Sequence, residues 1–302
     1  MRKINYDFPI MVIDTMEITT PTYITGTYPF LSHDSSRRMT MDDGITPKYK
    51  YRVNPSKTFL DISTFKGYKQ ALNQILQLTS FINPVKTRID FAFDFYGVDY
   101  EQTGKRNKLL LLLISNKYDL QNRYQSIDML TTEQKTLRVS NQSLEIEAYN
   151  KILQEPNSCI GCRVEFRSKR LYDDTDEENK ELRELDKWLE RMGSALTAEN
   201  FDCLIHQLTN NIIDRYIKER TERNFDNMAF LYKYEDYIFT SKQFKDICTF
   251  MGYSRPDKQL AKYRKKYGGA EFFSLRQMRD YTLIFKAAAD KFAIECAAQN
   301  CG

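Results

Sequence analysis

Eight residues, Arg88-Ile89-Asp90-Phe91-Ala92-Phe93-Asp94-Phe95, constrain the fold more than any other stretch of this chain. They alternate strictly between apolar residues and charged or small ones, the period of a strand with one buried face. Phe91, Phe93 and Phe95 share the face that belongs to a core. Arg88, Asp90 and Asp94 share the other, with only Ala92 between the acids. Two carboxylates on an open face repel unless a cation lies between them. Hard oxygen ligands for a divalent ion such as Mg2+ or Mn2+ are therefore the first expectation.

Two further segments repeat the pattern. In Glu145 to Lys151, the residues Glu145, Glu147, Tyr149 and Lys151 fall on one face, and in Arg163 to Arg167 the set is Arg163, Glu165 and Arg167. Adjacent in a sheet, these strands would bring together acids for a metal, cations for a phosphate and a phenol nucleophile. The alternative is an ordinary solvated face, common in antiparallel sheets. Tyr149 is also one of twenty tyrosines, most of which serve packing.

The remaining periodicities complete an α+β pattern around a mostly antiparallel sheet. Strands are expected at Ile10 to Thr19, Tyr49 to Val53, Val85 to Phe95, Gln142 to Lys151 and Arg163 to Ser168. Helices are expected at Phe65 to Leu78 and Gly104 to Ser115. From Asp173 the texture changes to amphipathic helices, Asp173 to Arg191 and Ala198 to Arg220, which could pack back on the sheet. Thr221 to Gly302 is helical and more basic.

At 302 residues two domains are the default, and 41% hydrophobic residues suffice for real cores. The net charge of +4 is too small to argue for nucleic acid by itself, so the distribution of charge must do so. The apolar run from Phe8 to Ile13 contains Pro9 and is too short for a signal peptide, and Leu109 to Ile114 is far below a membrane span. Six cysteines make no disulfide scaffold in a chain of this size, so a reducing cytoplasm fits best. Cys159-Ile160-Gly161-Cys162 with Cys203 and His206 has zinc-like spacing, but a strand turn and a buried helix position for Cys203 explain these residues better.

The order Arg-x-Asp-x-x-x-Asp at Arg88, then Tyr149-Asn150-Lys151 with Glu155 four residues on, then Arg-x-Glu-x-Arg at Arg163, resembles the replication initiation factor family. That family includes the initiators of staphylococcal rolling-circle plasmids and is similar to filamentous-phage gene II nickases. The resemblance spans roughly residues 85 to 170. It implies Tyr149 as nucleophile, Asp90 and Glu165 as the foremost metal ligands, and Asp94 and Glu147 next. Lys151 and Arg163 would stabilise phosphoryl oxygens or lower the phenol pKa. Unlike related nickases, the chain has no His-hydrophobic-His pair, since its only histidines are His33 and His206. Metal ligands would then be carboxylates.

Near the C-terminus, Ser241 to Met251 has a capping serine and apolar residues at helical spacing. Gly252-Tyr253-Ser254 is a turn, and a second helix begins at Pro256. Arg255, Lys258, Lys262, Arg264, Lys265 and Lys266 make that helix strongly basic, as in a helix-turn-helix recognition helix. A plain hairpin with a solvated basic face is the alternative.

The expectation is a Rep-type, HUH-like antiparallel-sheet nicking domain at 1–172, a helical connection at 173–220, and a helix-turn-helix or winged-helix-like DNA-binding region at 221–302. Its function would be nicking of one origin strand through tyrosine, leaving a 5′-phosphotyrosine and a 3′-OH primer for rolling-circle replication of a plasmid or phage. The rival is a non-enzymatic origin binder or transcription regulator. Expected partners are origin DNA, duplex and single-stranded, and host helicase and polymerase, with homodimerisation allowed and no membrane.

Overall fold

The computed structural model describes residues 8–32, 37–39, 48–58, 60–97, 100–120, 136–171, 179–268 and 271–294. Among these residues the chain is an α+β protein with seven strands: β1 (Ile10–Thr20), β2 (Arg37–Met39), β3 (Lys48–Val53), β4 (Val85–Tyr96), β5 (Thr136–Ser140), β6 (Leu144–Asn150) and β7 (Ile160–Ser168). They form one sheet in the order β2-β3-β1-β4-β7-β6-β5, every pair antiparallel. The helices are α1 (Phe65–Thr79), α2 (Tyr100–Tyr118), α3 (Lys151–Gln154), α4 (Lys180–Ala195), α5 (Ala198–Glu219), α6 (Asn227–Lys233), α7 (Ser241–Phe250), α8 (Pro256–Tyr267) and α9 (Leu275–Ile294).

β4 lies at the centre of the sheet, and its phenylalanines decide which face is covered. Phe91, Phe93 and Phe95 are all buried. Phe93 packs edge-on against Phe166 of β7 and Phe285 of α9, at centroid distances of 5.7 and 5.0 Å. Trp188 of α4 lies 5.2 Å from the Phe166 ring and donates its indole N–H to Ser168 Oγ at 3.0 Å. The run Leu109 to Ile114, readable in isolation as strand or helix, lies in the middle of α2, largely buried between β5, β6 and β7 on one side and α4 and α5 on the other. Among the described residues, α2, α4 and α9 therefore bury the phenylalanine face, and the charged face lies opposite them.

Helix boundaries follow local chemistry. Thr64 caps α1 by accepting from the Gly67 N–H, and Thr197 caps α5 through Asn200. The cap of α7 is Thr240, which accepts from the Gln243 N–H, rather than the expected Ser241. Short strands β2 and β5 were not expected. Of the helix expected from Asp173, the portion up to Glu178 lies outside the described residues, as do His33 and Gly269.

The last helix revises the expected organisation. α9 falls inside the segment assigned to DNA binding, yet it returns to the sheet, with Phe285 against Phe93, Phe95 and Phe166 and Phe292 against Phe65. The Tyr281 hydroxyl donates to Asn107 Oδ1 of α2 at 2.7 Å. Among the described residues, no helix is long and apolar enough to cross a membrane.

Replacing Phe285 by alanine removes a ring in contact with four others, Phe93, Phe95, Phe166 and Tyr281, and should destabilise the protein by about 3–5 kcal/mol. Chemical denaturation of the variant checks this. A chain cut after Arg220 should bind a hydrophobic dye strongly, because Phe93, Phe95 and Phe166 lose their cover.

Candidate functional site

The three strands singled out by alternation lie side by side as β4, β7 and β6, and their registers place the site residues in rows. One row is Asp94, Arg163, Tyr149 and Thr136; the next is Ala92, Glu165, Glu147 and Arg138; the third is Asp90, Arg167, Glu145 and Ser140. Rows on one face of a pleated sheet bring side chains into direct contact. Asp14 joins them from β1, where the pairing with β4 shifts between Ile13 and Thr15. Such a bulge re-aims a side chain, and Asp14 reaches Arg163 at 2.9 Å.

Arginines supply the cations that these acids require. Arg88 binds Asp90 with two parallel bonds of 2.7 Å. Arg163 grips Asp94 in the same bidentate way, at 2.5 and 2.8 Å. Arg167 is the central cation, in contact with Glu145 and Glu165, 2.7 Å from Glu147 and 3.5 Å from Asp90. Arg138 adds a 2.6 Å pair to Glu145, whose pKa is held down at about 2 by Arg138, Arg167 and Lys169 against the opposing effect of burial. Burial pushes the Asp90 carboxyl up to about 6 despite Arg88, which still leaves it charged at neutral pH. Asp94 is raised for the same reason, and Glu165 is lowered because Arg167, Tyr149 and Arg163 outweigh its burial.

Asp90, Asp94, Glu147 and Glu165 are thus neighbours, but as arranged they do not fit a divalent ion. Each is held by a guanidinium, and among the described residues no group of three or more acid, histidine or cysteine side chains converges to hold a metal. The repulsion between the two acids of β4 is relieved by Arg88 and Arg163.

Tyr149 is 5% exposed, and its hydroxyl donates to Glu165 Oε1 at 2.6 Å. Its pKa is raised, first by burial and then by the Glu165 carboxylate, which overcome the downward pull of Arg163. Arg163 does pull the phenol pKa down, one of the two roles expected of it, but burial and Glu165 outweigh it. Arg163 Nη1 lies 3.6 Å from the same Glu165 oxygen. Lys151, the first residue of α3, pairs with Glu155 at 2.8 Å and stands 5.9 Å from the Tyr149 ring centre. Beside this group opens a cavity of about 280 Å3 whose walls include Arg52, Arg88, Arg138, Arg167, Asp90 and Glu165.

The basic residues expected to bind DNA sit elsewhere. α7 and α8 are joined by a turn in which Gly252 has φ of 89°, a conformation that favours glycine. Pro256 opens α8, and Leu260 and Tyr263 bury its inner face. Arg255, Lys258, Lys262, Arg264, Lys265 and Lys266 are all exposed. Among the described residues Cys159, Cys162, Cys203 and Cys248 are free: Cys162 is buried, its thiol pushed up to about 12 by burial, and Cys203, expected to be buried, is exposed.

Asp14, Arg138 and Arg167 are the site residues that sequence reasoning left unassigned. The period-two pattern of Thr136 to Ser140 marked Arg138, but a five-residue strand is a weak signal, and a bulge at Asp14 leaves none.

No family model matches the chain, and no curated protein matches it in sequence. Among solved structures it is similar to a rolling circle replication initiator protein from Geobacillus stearothermophilus. The identity is 12%, over 59% of this chain and 78% of that one, with a TM-score of 0.27. Agreement at that level is too slight to argue from one molecule to the other.

Arg167→Met should leave Glu145, Glu147, Glu165 and Asp90 facing one another and cost about 3–5 kcal/mol at neutral pH. A carboxylate with a depressed folded pKa contributes stability above its unfolded pKa and loses it as pH falls through the folded value. The deficit should therefore be full above pH 4.5, the ordinary value for Glu145, and fade toward pH 2, its folded value. Denaturation of both proteins across that range measures it.

Proposed function

We propose that this chain is a replication initiator that nicks one strand of origin DNA through Tyr149. The observation that carries the reading is the 2.6 Å hydrogen bond from the Tyr149 hydroxyl to the Glu165 carboxylate. A phenol donating to a charged carboxylate is a nucleophile with its base in place. The motif order from Arg88 to Arg167, which resembles rolling-circle initiators, supports the same assignment.

The reaction balances with the residues at hand. Glu165 takes the hydroxyl proton as the Tyr149 oxygen attacks a backbone phosphorus. The bond from phosphorus to the 3′ oxygen breaks, and that oxygen takes a proton from Lys151 or solvent to become the 3′-OH primer. The 5′ phosphate remains on Tyr149. Arg163 orients Glu165 and, with Lys151, offsets charge on the phosphoryl oxygens. Magnesium or manganese at Asp90, Asp94, Glu147 and Glu165 remains a proposal in which Arg167 or Arg88 must first release a carboxylate, and no step above depends on it. Sequence reading belongs to α7 and α8 as a helix-turn-helix, with Lys258, Lys262 and Lys265 on one face of α8.

A second reading has its own support. Tyr149 is 5% exposed and every acid around it is paired, as a purely structural network would be. A non-enzymatic origin binder would use α8 alone.

Tyr149→Phe, which removes one oxygen, should abolish nicking of supercoiled origin DNA and leave duplex binding within about twofold of native, since phosphate and base contacts made elsewhere set affinity. Retained nicking rules out the assignment, and absence of nicking by the native protein, with or without added magnesium or manganese, favours the second reading.

Removing charge at Lys262 and Lys265 together should weaken duplex binding and reduce the slope of log affinity against log salt by about 2. A salt titration of fluorescence anisotropy measures the slope.

A further inference from the structure

The exposed end of α8 carries a second kind of surface. Lys258, Lys262 and Lys265 follow one another at helical spacing along its outer face, while Leu260, Tyr263 and Tyr267 follow along its inner one. At the last turn the two meet. Tyr267 is stacked on Tyr232 of α6 with ring centres 4.5 Å apart and an interplanar angle of 14°. Lys266 Nζ stands 4.8 Å from the centre of the Tyr267 ring, and Tyr263 supports that ring from within at 5.2 Å. Tyr232 is 50% exposed although Tyr267 covers one of its faces, so its outer face is bare to solvent.

Packing alone does not account for this arrangement. A tyrosine that only held α6 to α8 would bury its ring, as Tyr263 does at 1% exposure. Here a parallel pair is fixed in orientation and flanked by exposed cations, with Asp226 near Lys266 at 3.5 Å as the opposing charge. A rigid aromatic face beside a basic track is the arrangement that binds unpaired bases, because every base has a π-face and its phosphates follow the cations. A duplex presents no free base face to such a platform.

We infer that the Tyr232–Tyr267 pair is a stacking platform for single-stranded DNA, beside the duplex-reading face of α8 and sharing its Lys262 and Lys265. The bases stack on Tyr232, and the backbone runs toward Lys266, Lys265 and Lys262. The inference rests on the DNA-binding part of the proposed function and is independent of tyrosine chemistry at Tyr149. It assigns to the C-terminal helices a grip on a strand already unpaired.

The test compares a thymidine oligonucleotide of about 16 nucleotides with an abasic strand of the same length and charge. The full-length protein should bind the thymidine strand about tenfold more tightly or better, and Tyr232→Ala should remove that preference while leaving abasic binding unchanged. Tyr232→Phe should retain it. In the native protein, photocrosslinking with iodouracil-substituted DNA should attach to the peptide containing Tyr232. Unchanged thymidine binding by Tyr232→Ala, equal loss for both strands, or crosslinks elsewhere would each overturn the inference. Duplex binding and its dependence on Lys262 and Lys265 would stand in that case, so failure here is separable from failure of the DNA-binding reading.

Discussion

Burying three phenylalanines of β4 fixes where the charges of this molecule must go. Phe91, Phe93 and Phe95 point to one side of a central strand, and α2, α4 and α9 close over that side. Period two then leaves Asp90 and Asp94 no choice but the opposite face, and the neighbours in β7 and β6 follow in register. The antiparallel strands from β3 to β5 carry this segregation across the sheet. What results is an apolar face that supplies the folding energy and a polar face packed tightly enough to exclude much of the water around its acids. Partly desolvated carboxylates need cations at close range. Arg88, Arg163 and Arg167 meet that need, each pairing with at least one acid of the face.

Much of this was legible in the residues alone. The alternation at Arg88–Phe95 predicts its strand, and the same pattern at Glu145 and Arg163 predicts partners bearing charge on the same face. Adjacency of the three strands is what the structure adds. Which acid meets which arginine depends on register, and no periodicity encodes register between strands separated by fifty residues. The role of α9 was hidden for a related reason. Its apolar residues, from Met278 through Phe292, announce a buried face. Nothing in their spacing says that the face belongs to a sheet begun more than 250 residues earlier. Short elements were lost differently: β5 has five residues and β2 three, too few for a pattern to rise above composition.

Under the proposed function, the pairing on the sheet would divide the work of binding and chemistry. A face whose acids each touch a cation has little net attraction for a polyanion. Under that function, long-range attraction for DNA falls to the cap residue Arg255 and the five basic residues of α8, all exposed. The sheet face contributes short-range geometry instead: a phenol, its carboxylate partner and a guanidinium within one row of each other. Its cost is access, because Tyr149 is held inside the network that positions it. α9 joins the two regions physically, since it follows the basic helix in sequence and packs beneath β4 in space.

The central claim is that Tyr149 forms a covalent bond to DNA. The direct measurement is to incubate the full-length protein with a supercoiled plasmid carrying its origin, digest both protein and DNA, and locate by mass spectrometry any peptide bearing a nucleotide. The account predicts a 5′-nucleotide phosphodiester on the tyrosine of the peptide around Glu147-Ala148-Tyr149-Asn150. An adduct on a different tyrosine, or an unmodified Tyr149 in protein that has demonstrably nicked the plasmid, would contradict it.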